Sequence, residues 1–351
     1  MSHGELPLLN IPALHAYLTS ELHLDASTAL QSTRIMGGHS NETFFITLGS
    51  LHYVLRRPPL GPLLPTAHDV AREYRLLVAL YGTKVPVPQP IVLCEDTTII
   101  GAPFYVMERI NGVAIRDRLP ETFVADVAAR AGLGESLIDL LADLHSLDWQ
   151  ALGLASFGKP TGYLERQVRR WTGQLDASRV RPLPDLDAVT QWLGQNIPTS
   201  STATIVHGDY RLDNVLFAPT VPAHPLALID WEMATIGDPL ADLGYLLSFW
   251  REDGDPPVPF ADATWEMTAQ SGFSKRRDLI ARYHERTGRA IDNIPFYVTL
   301  AIWKLAILLE GSYARFLAGT TDDPFFNQLE AFVPTLAIRA LAVCQGDMQL
   351  L

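Results

Sequence analysis

The apolar period of this 351-residue chain turns from strand-like to mostly helical about a third of the way along, and that change restricts the folds open to it. Up to about residue 110 the apolar residues come in short runs rich in β-branched and aromatic side chains. STRIMGGHSNETFFITLG, LHYVLRRP, PIVLCED and APFYVMERI read as strands, the first interrupted by Gly37 and Gly38. Two helices are expected among them. One starts at Asn10 with Pro12 in its first turn, and one runs from Thr66, a candidate N-cap, to a stop at Gly82. Beyond Asn111 and Gly112 the spacing turns helical, in ESLIDLLADLHSL, GYLERQVRRWTGQL, DLDAVTQWLGQN, DPLADLGYLLSFW, SKRRDLIARYHERTG and FYVTLAIWKLAILLEGSYARFL. Strands first and helices after is an α+β pattern, divided here into residues 1–109 and 110–351.

Several classes of function are disfavoured by what the chain lacks. Its two cysteines, Cys94 and Cys344, stand far apart with no second ligand at metal spacing, so neither a disulfide framework nor a zinc site is expected. A formal net charge of -12 disfavours nucleic acid and anionic membranes as partners. MSHGELPLLN has no basic segment leading into an apolar core, and the longest apolar run, FYVTLAIWKLAILL, includes Lys304. The expectation is a soluble cytoplasmic protein, monomer or homodimer. An anionic ligand must find a local positive site or bring a cation.

The densest polar chemistry lies in HGDYRLDN, residues 207–214. TATIV is a short β run ending at His207, and VLFAP and PLALID are two more, separated by VPAH and so expected to form a hairpin. Asn214 and Asp230 lie equally far from residue 222, near the centre of that hairpin's loop. Antiparallel pairing would set an amide beside a carboxylate, an oxygen pair suited to Mg2+. Asp209, five residues before Asn214, would lie close enough to take a proton from a hydroxyl.

H-x-D-x4-N followed by an I-D-W strand end resembles the kinases of the aminoglycoside phosphotransferase and choline kinase type. GGHSNETFFI, YVLRRP, REYRLL and HGDYRLDN are most similar to the group found alone in bacteria or fused to acyl-CoA dehydrogenases, and the likeness covers nearly the whole chain. The resemblance implies a protein kinase-like bilobal fold. A small antiparallel-sheet N-lobe would clamp the nucleotide, and a larger, mostly helical C-lobe would carry the catalytic loop and acceptor pocket. It makes Asp209 the catalytic residue and Asn214 and Asp230 the Mg2+ ligands, while His207 and Asp242 brace the loop. Arg211 and Asp213 are open between bracing and substrate contact. Gly38, Ser40 and Asn41 correspond to the phosphate-covering turn. Arg56 takes the position of the usual phosphate-binding lysine, with Arg57 as the exposed alternative. Glu73, beside the helical stripe Val70, Tyr74, Leu77 and Tyr81, would anchor Arg56. Backbone groups from Met107 to Arg109 would read the base.

The function implied is transfer of the γ-phosphoryl group of ATP or GTP to a hydroxyl of a small metabolite, with Mg2+. Two alternatives remain: a catalytically silent nucleotide-binding pseudokinase, and a metal-dependent hydrolase using His207, Asp209, Asp230 and either His145 or His224. Arg166, Arg169 and Arg170 share a helical face beside Trp171. They form either a solvated, salt-bridged surface or, through Arg166 and Arg170, a site for an anionic acceptor, with a hydroxyacyl-CoA as candidate.

Overall fold

Asn10 opens the first element as its sequence suggests. In the computed structural model, which describes residues 8–35, 41–59, 69–200, 202–256, 266–320 and 324–347, the Asn10 side chain accepts the Ala13 amide at 3.3 Å. The helix that follows, α1, is Ile11–Glu21. The chain divides into two compact units, Met1–Asn111 with Ala227–Glu232, and Gly112–Leu226 with Met233–Leu351.

The first unit is built on an antiparallel sheet of β1 (Leu30–Arg34), β2 (Glu42–Leu48), β3 (Leu51–Arg57), β4 (Pro90–Cys94) and β5 (Phe104–Glu108), in the order β1-β2-β3-β5-β4. Phe44, Ile46 and Leu48 alternate along β2 and meet Leu14 and Leu18 of α1 in the core, together with Leu55, Phe104 and Val106. Helix α2, Val70–Leu80, is capped by Asp69, whose carboxylate accepts the Arg72 amide at 2.9 Å. The expected cap Thr66 lies outside the described residues. Asp69 takes the role because its side chain stands three residues before a first-turn amide that would otherwise lack an acceptor. Gly82 follows the helix at φ +81, as a stop of that kind requires. Residues 227–232, which the sequence division assigned to the C-terminal domain, group with this unit. The Leu228 amide donates to Pro86 O at 2.8 Å, and Asp230 pairs with Arg56.

The second unit is mostly helical: α3 (Glu121–Ala125), α4 (Arg130–His145), α5 (Tyr163–Ser178), α6 (Pro184–Gln195), α7 (Leu240–Phe249), α8 (Arg276–Thr287), α9 (Ile294–Leu317) and α10 (Leu329–Gln345). Its short strands are β6 (Val113–Ala114), β7 (Thr204–Val206), β8 (Val215–Phe217) and β10 (Thr235–Gly237), with β9 (Pro225–Leu228) beginning in it. β7 pairs with β10 and β6 with β8. The 24 residues of α9 are long and apolar enough to cross a membrane, but 72% of its most apolar stretch is buried, against α5, α6, α7 and α10. Length and composition alone therefore do not distinguish it from a core helix, and packing does. The sequence pattern did not mark α10, whose interior Pro334 cannot donate to the carbonyl of Glu330. Arg181 Nη1 donates to that carbonyl at 2.6 Å and so supplies the missing partner from another part of the unit.

Candidate active site

The loop after β7 turns at Gly208, φ +86, where a Cβ would stand 2.6 Å from Met233 O. Glycine alone fits that conformation and that approach. The buried carboxylate of Asp242, in the first turn of α7, accepts the amides of His207 at 2.7 Å and Gly208 at 2.8 Å. His145 Nε2 lies 3.3 Å from the same carboxylate, and its Nδ1 lies 2.8 Å from the Tyr283 hydroxyl. Burial pushes the His145 imidazole down, against the pull of Asp242. A neutral ring donating to Asp242 and accepting from Tyr283 satisfies all three groups.

Asp209 follows, with its side chain 22% exposed. Asn214 Nδ2 donates to both the Asp209 carboxylate and the Asp209 carbonyl, each at 2.8 Å. Both donor hydrogens of the amide are then used, and Asn214 Oδ1 is the polar atom left to face a ligand. The hydroxyl of Tyr245, from α7, bonds the same carboxylate; burial and the Asp209 charge push its pKa far up, so it stays a donor. Arg211 Nε lies 3.4 Å from Asp209 and 3.1 Å from Asp213, and its guanidinium is 5.3 Å from the centre of the Phe249 ring. Arg211 and Asp213 therefore brace the loop, and burial pushes the Asp213 carboxyl up.

The charged group of the first unit is organised around Arg56. Its Nη1 meets Glu73 Oε1 at 2.6 Å, its Nη2 meets Asp230 Oδ1 at 3.1 Å, and Glu232 Oε2 is 3.7 Å away. Asn41 Nδ2 donates to that Glu232 oxygen at 3.4 Å. Burial pushes the Glu73 carboxyl up to about 7, opposed by the Arg56 charge and aided by Asp230 and Glu232. Burial alone would lower the Arg56 pKa, but Glu73, Tyr105, Asp230 and Glu232 together raise it, so the guanidinium stays charged. Asp230 adopts φ +66, a backbone conformation that a non-glycine residue rarely takes.

Other expected site residues differ in detail. Arg57, the exposed alternative to Arg56, is buried at 1% exposure and bonds the carbonyls of Pro58, Leu8 and Ile100. Gly38 and Ser40 lie outside the described residues. Met107 is buried in β5 opposite Val54. The amides of Glu108 and Arg109 donate to Gln89 O and His52 O, so neither is free to read a base, and the Arg109 guanidinium lies 3.9 Å from the centre of the Phe45 ring. Arg166 is not presented alongside Arg170: its guanidinium bonds the carbonyls of Lys159 and Thr161. Arg170 is exposed near Trp171. Among the described residues no group of three or more His, Cys, Asp or Glu is arranged to hold a metal, and a ligand set of that kind is what the hydrolase alternative called for.

Three residues of these clusters went unmarked. Glu232 had a signal in its place two residues after Asp230, and Tyr245 in its place one helical turn after Asp242. Lys304, within range of the Asp209 charge, showed only as a lone cation in an apolar run.

Residues 32–278 match the phosphotransferase enzyme family. Acyl-CoA dehydrogenase family member 11 of Rattus norvegicus is 39% identical over 331 residues, 91% of this chain and 41% of that protein. Family member 10 of Mus musculus is 36% identical over 93% of this chain and 30% of its own length. The chain thus spans well under half of these relatives. A crystal structure of a candidate aminoglycoside phosphotransferase from Ralstonia eutropha superposes with a TM-score of 0.81 at 32% identity, covering 96% of this chain and 98% of that one. Aminoglycoside phosphotransferase APH(4)-Ia, solved with ADP and hygromycin B, shares the fold at a TM-score of 0.60 and 16% identity, over 94% of this chain and 98% of its own.

Proposed function

The chain belongs to the phosphotransferase enzyme family, with its protein kinase-like fold, and from that premise we propose a small-molecule kinase that moves the γ-phosphoryl group of ATP or GTP to a hydroxyl. The observation that carries this reading is the Asn214 amide fixed on the Asp209 carboxylate. That bond holds one carboxylate oxygen, while the side chain remains partly open to solvent, where it can accept the proton of an incoming hydroxyl. Arg56, held charged and oriented by Glu73, has the donor geometry for a phosphate group.

The residues present also suit Mg2+. Asn214 keeps an amide oxygen, and Asp230, 34% exposed, keeps a carboxylate oxygen beyond the one on Arg56; both are hard donors. Held by donors of this kind, Mg2+ would neutralise phosphate charge. For the base, the amides of Glu108 and Arg109 are already engaged, so they are not its donors. The names of the relatives favour an acceptor handled by acyl-CoA dehydrogenases, and we assign a hydroxyacyl-CoA as the first candidate.

The test incubates the protein with ATP, GTP and Mg2+ against a panel of hydroxylated metabolites, including hydroxyacyl-CoA thioesters. Acceptor-dependent ADP or GDP release and a product heavier by one phosphoryl group are expected, both lost in Asp209→Asn. Nucleotide binding without turnover on any acceptor would instead make the chain a pseudokinase.

A further inference from the structure

Helix α9 is apolar along most of its length, and Lys304 interrupts it. The ammonium lies 5.5 Å from the centre of the Trp171 ring of α5, and the Arg170 guanidinium lies 5.8 Å from the centre of the same ring. Among the described residues neither cation forms an ion pair or a hydrogen bond. The ammonium is half-buried with no protein acceptor among the described residues, and a second cation by the same ring adds repulsion that an anion between them would relieve. The carboxylates whose charge reaches Lys304 are already engaged. Asp242 holds the amides of His207 and Gly208 together with His145, and Asp209 holds Asn214 and Tyr245.

We propose that Lys304, with Arg170 by the same Trp171 ring, binds an anionic group of the acceptor molecule, a carboxylate or a phosphate, within reach of Asp209. This rests on the kinase reading for the identity of the acceptor, and it replaces Arg166 by Lys304 as the partner of Arg170. Trp171 is itself buried and holds the two charges beside its ring, and a pair of neighbouring cations selects an anion and rejects a polycation. The charged groups acting on Lys304 are Asp242 from α7, Asp209 from the loop after β7 and Arg170 from α5. Burial, the largest influence, and Arg170 lower its pKa to about 8, while the two carboxylates oppose them. An anion arriving beside Lys304 would therefore draw a proton onto it near that pH.

The experiment is calorimetric and uses no nucleotide. Inorganic phosphate and a series of ω-hydroxycarboxylates are titrated into the full chain near pH ~8 in two buffers of different ionisation enthalpy, with the matching diols as neutral controls. Wild-type protein is expected to bind one or more of these anions more tightly than the diols and to take up protons as it does. Lys304→Met should lose about tenfold or more in affinity together with the proton uptake. Lys304→Arg should bind without proton uptake, a separation that a purely structural role for Lys304 would not produce. The proposal fails if wild type prefers no anion over the diols, or if Lys304→Met binds like wild type. Phosphoryl transfer to neutral acceptors alone would sink it while leaving the kinase reading intact. A chain that binds the anions through Lys304 yet transfers nothing would do the reverse.

Discussion

Asp209 receives donors from Asn214 and Tyr245 and has the Arg211 charge beside it, so its carboxylate is held pointed rather than free to swing. Replacing it by asparagine removes the proton acceptor but nearly preserves the shape. Turnover should fall about 10²-fold or more while Mg-nucleotide affinity is retained, as steady-state kinetics and calorimetry would read. Unchanged turnover would take Asp209 out of the chemistry. Glu73 makes a different prediction, about pH. Its carboxyl, raised from 4.5 to about 7, keeps a proton in the folded chain over a range where the unfolded chain has released it. The stability tied to that proton is fully present below the unfolded value and is lost as pH rises through the folded one. Between about pH 5 and about pH 8, wild type should therefore lose more Tm than Glu73→Gln. Equal changes in the two proteins would mean that Glu73 is ionised throughout.

Helix α7 is the element that does most for the site, because one turn of it carries Asp242, Gly244 and Tyr245. A Cβ on Gly244 would stand 2.5 Å from the Tyr297 carbonyl carbon, so α7 and α9 meet backbone to backbone there. Gly244→Ala must push the helices apart and should cost about 1–3 kcal/mol in denaturant unfolding. A wild-type midpoint would show that the crossing is looser than this contact implies. Elements of this kind were legible in the sequence to different degrees. The HGDYRLDN loop and the strands before residue 110 could be read because their chemistry is local: the residues that interact are close in the chain or follow one period. The Arg56–Glu73 pair was legible because a carboxylate beside an apolar helical stripe needs a cation. Helix α10 was not, since the group that makes Pro334 tolerable, Arg181, is about 150 residues away in sequence. Arg166 and Lys304 misled for the same reason: helical spacing says which face a side chain shares, but only tertiary packing says whether a carbonyl or a ring has claimed it.

At the scale of the whole molecule, a chain of net charge -12 that, as we propose, holds a polyanionic nucleotide would need Mg2+ to neutralise the phosphates. Any ligand that binds only the folded state raises the stability of the entire fold, by about 2.7 kcal/mol at a hundredfold excess over its Kd. ATP should thus raise Tm in wild type when Mg2+ is present and much less without it. Asp230→Ala should lose most of that Mg2+-dependent gain, as a thermal-shift assay would read; retention of the full gain would exclude Asp230 as a metal ligand. The location of Asp230 in the chain carries one more consequence. The first unit is completed by residues 227–232, so the polypeptide leaves it at residue 111, returns, and leaves again. Truncation after residue 111 would keep Arg56 with Glu73 but delete Asp230 and Glu232, stranding the guanidinium with one carboxylate in place of three. As hereditary material, then, the first unit cannot be copied out by a single cut: a gene fusion or transfer that carries it intact has to carry about half of the second unit with it.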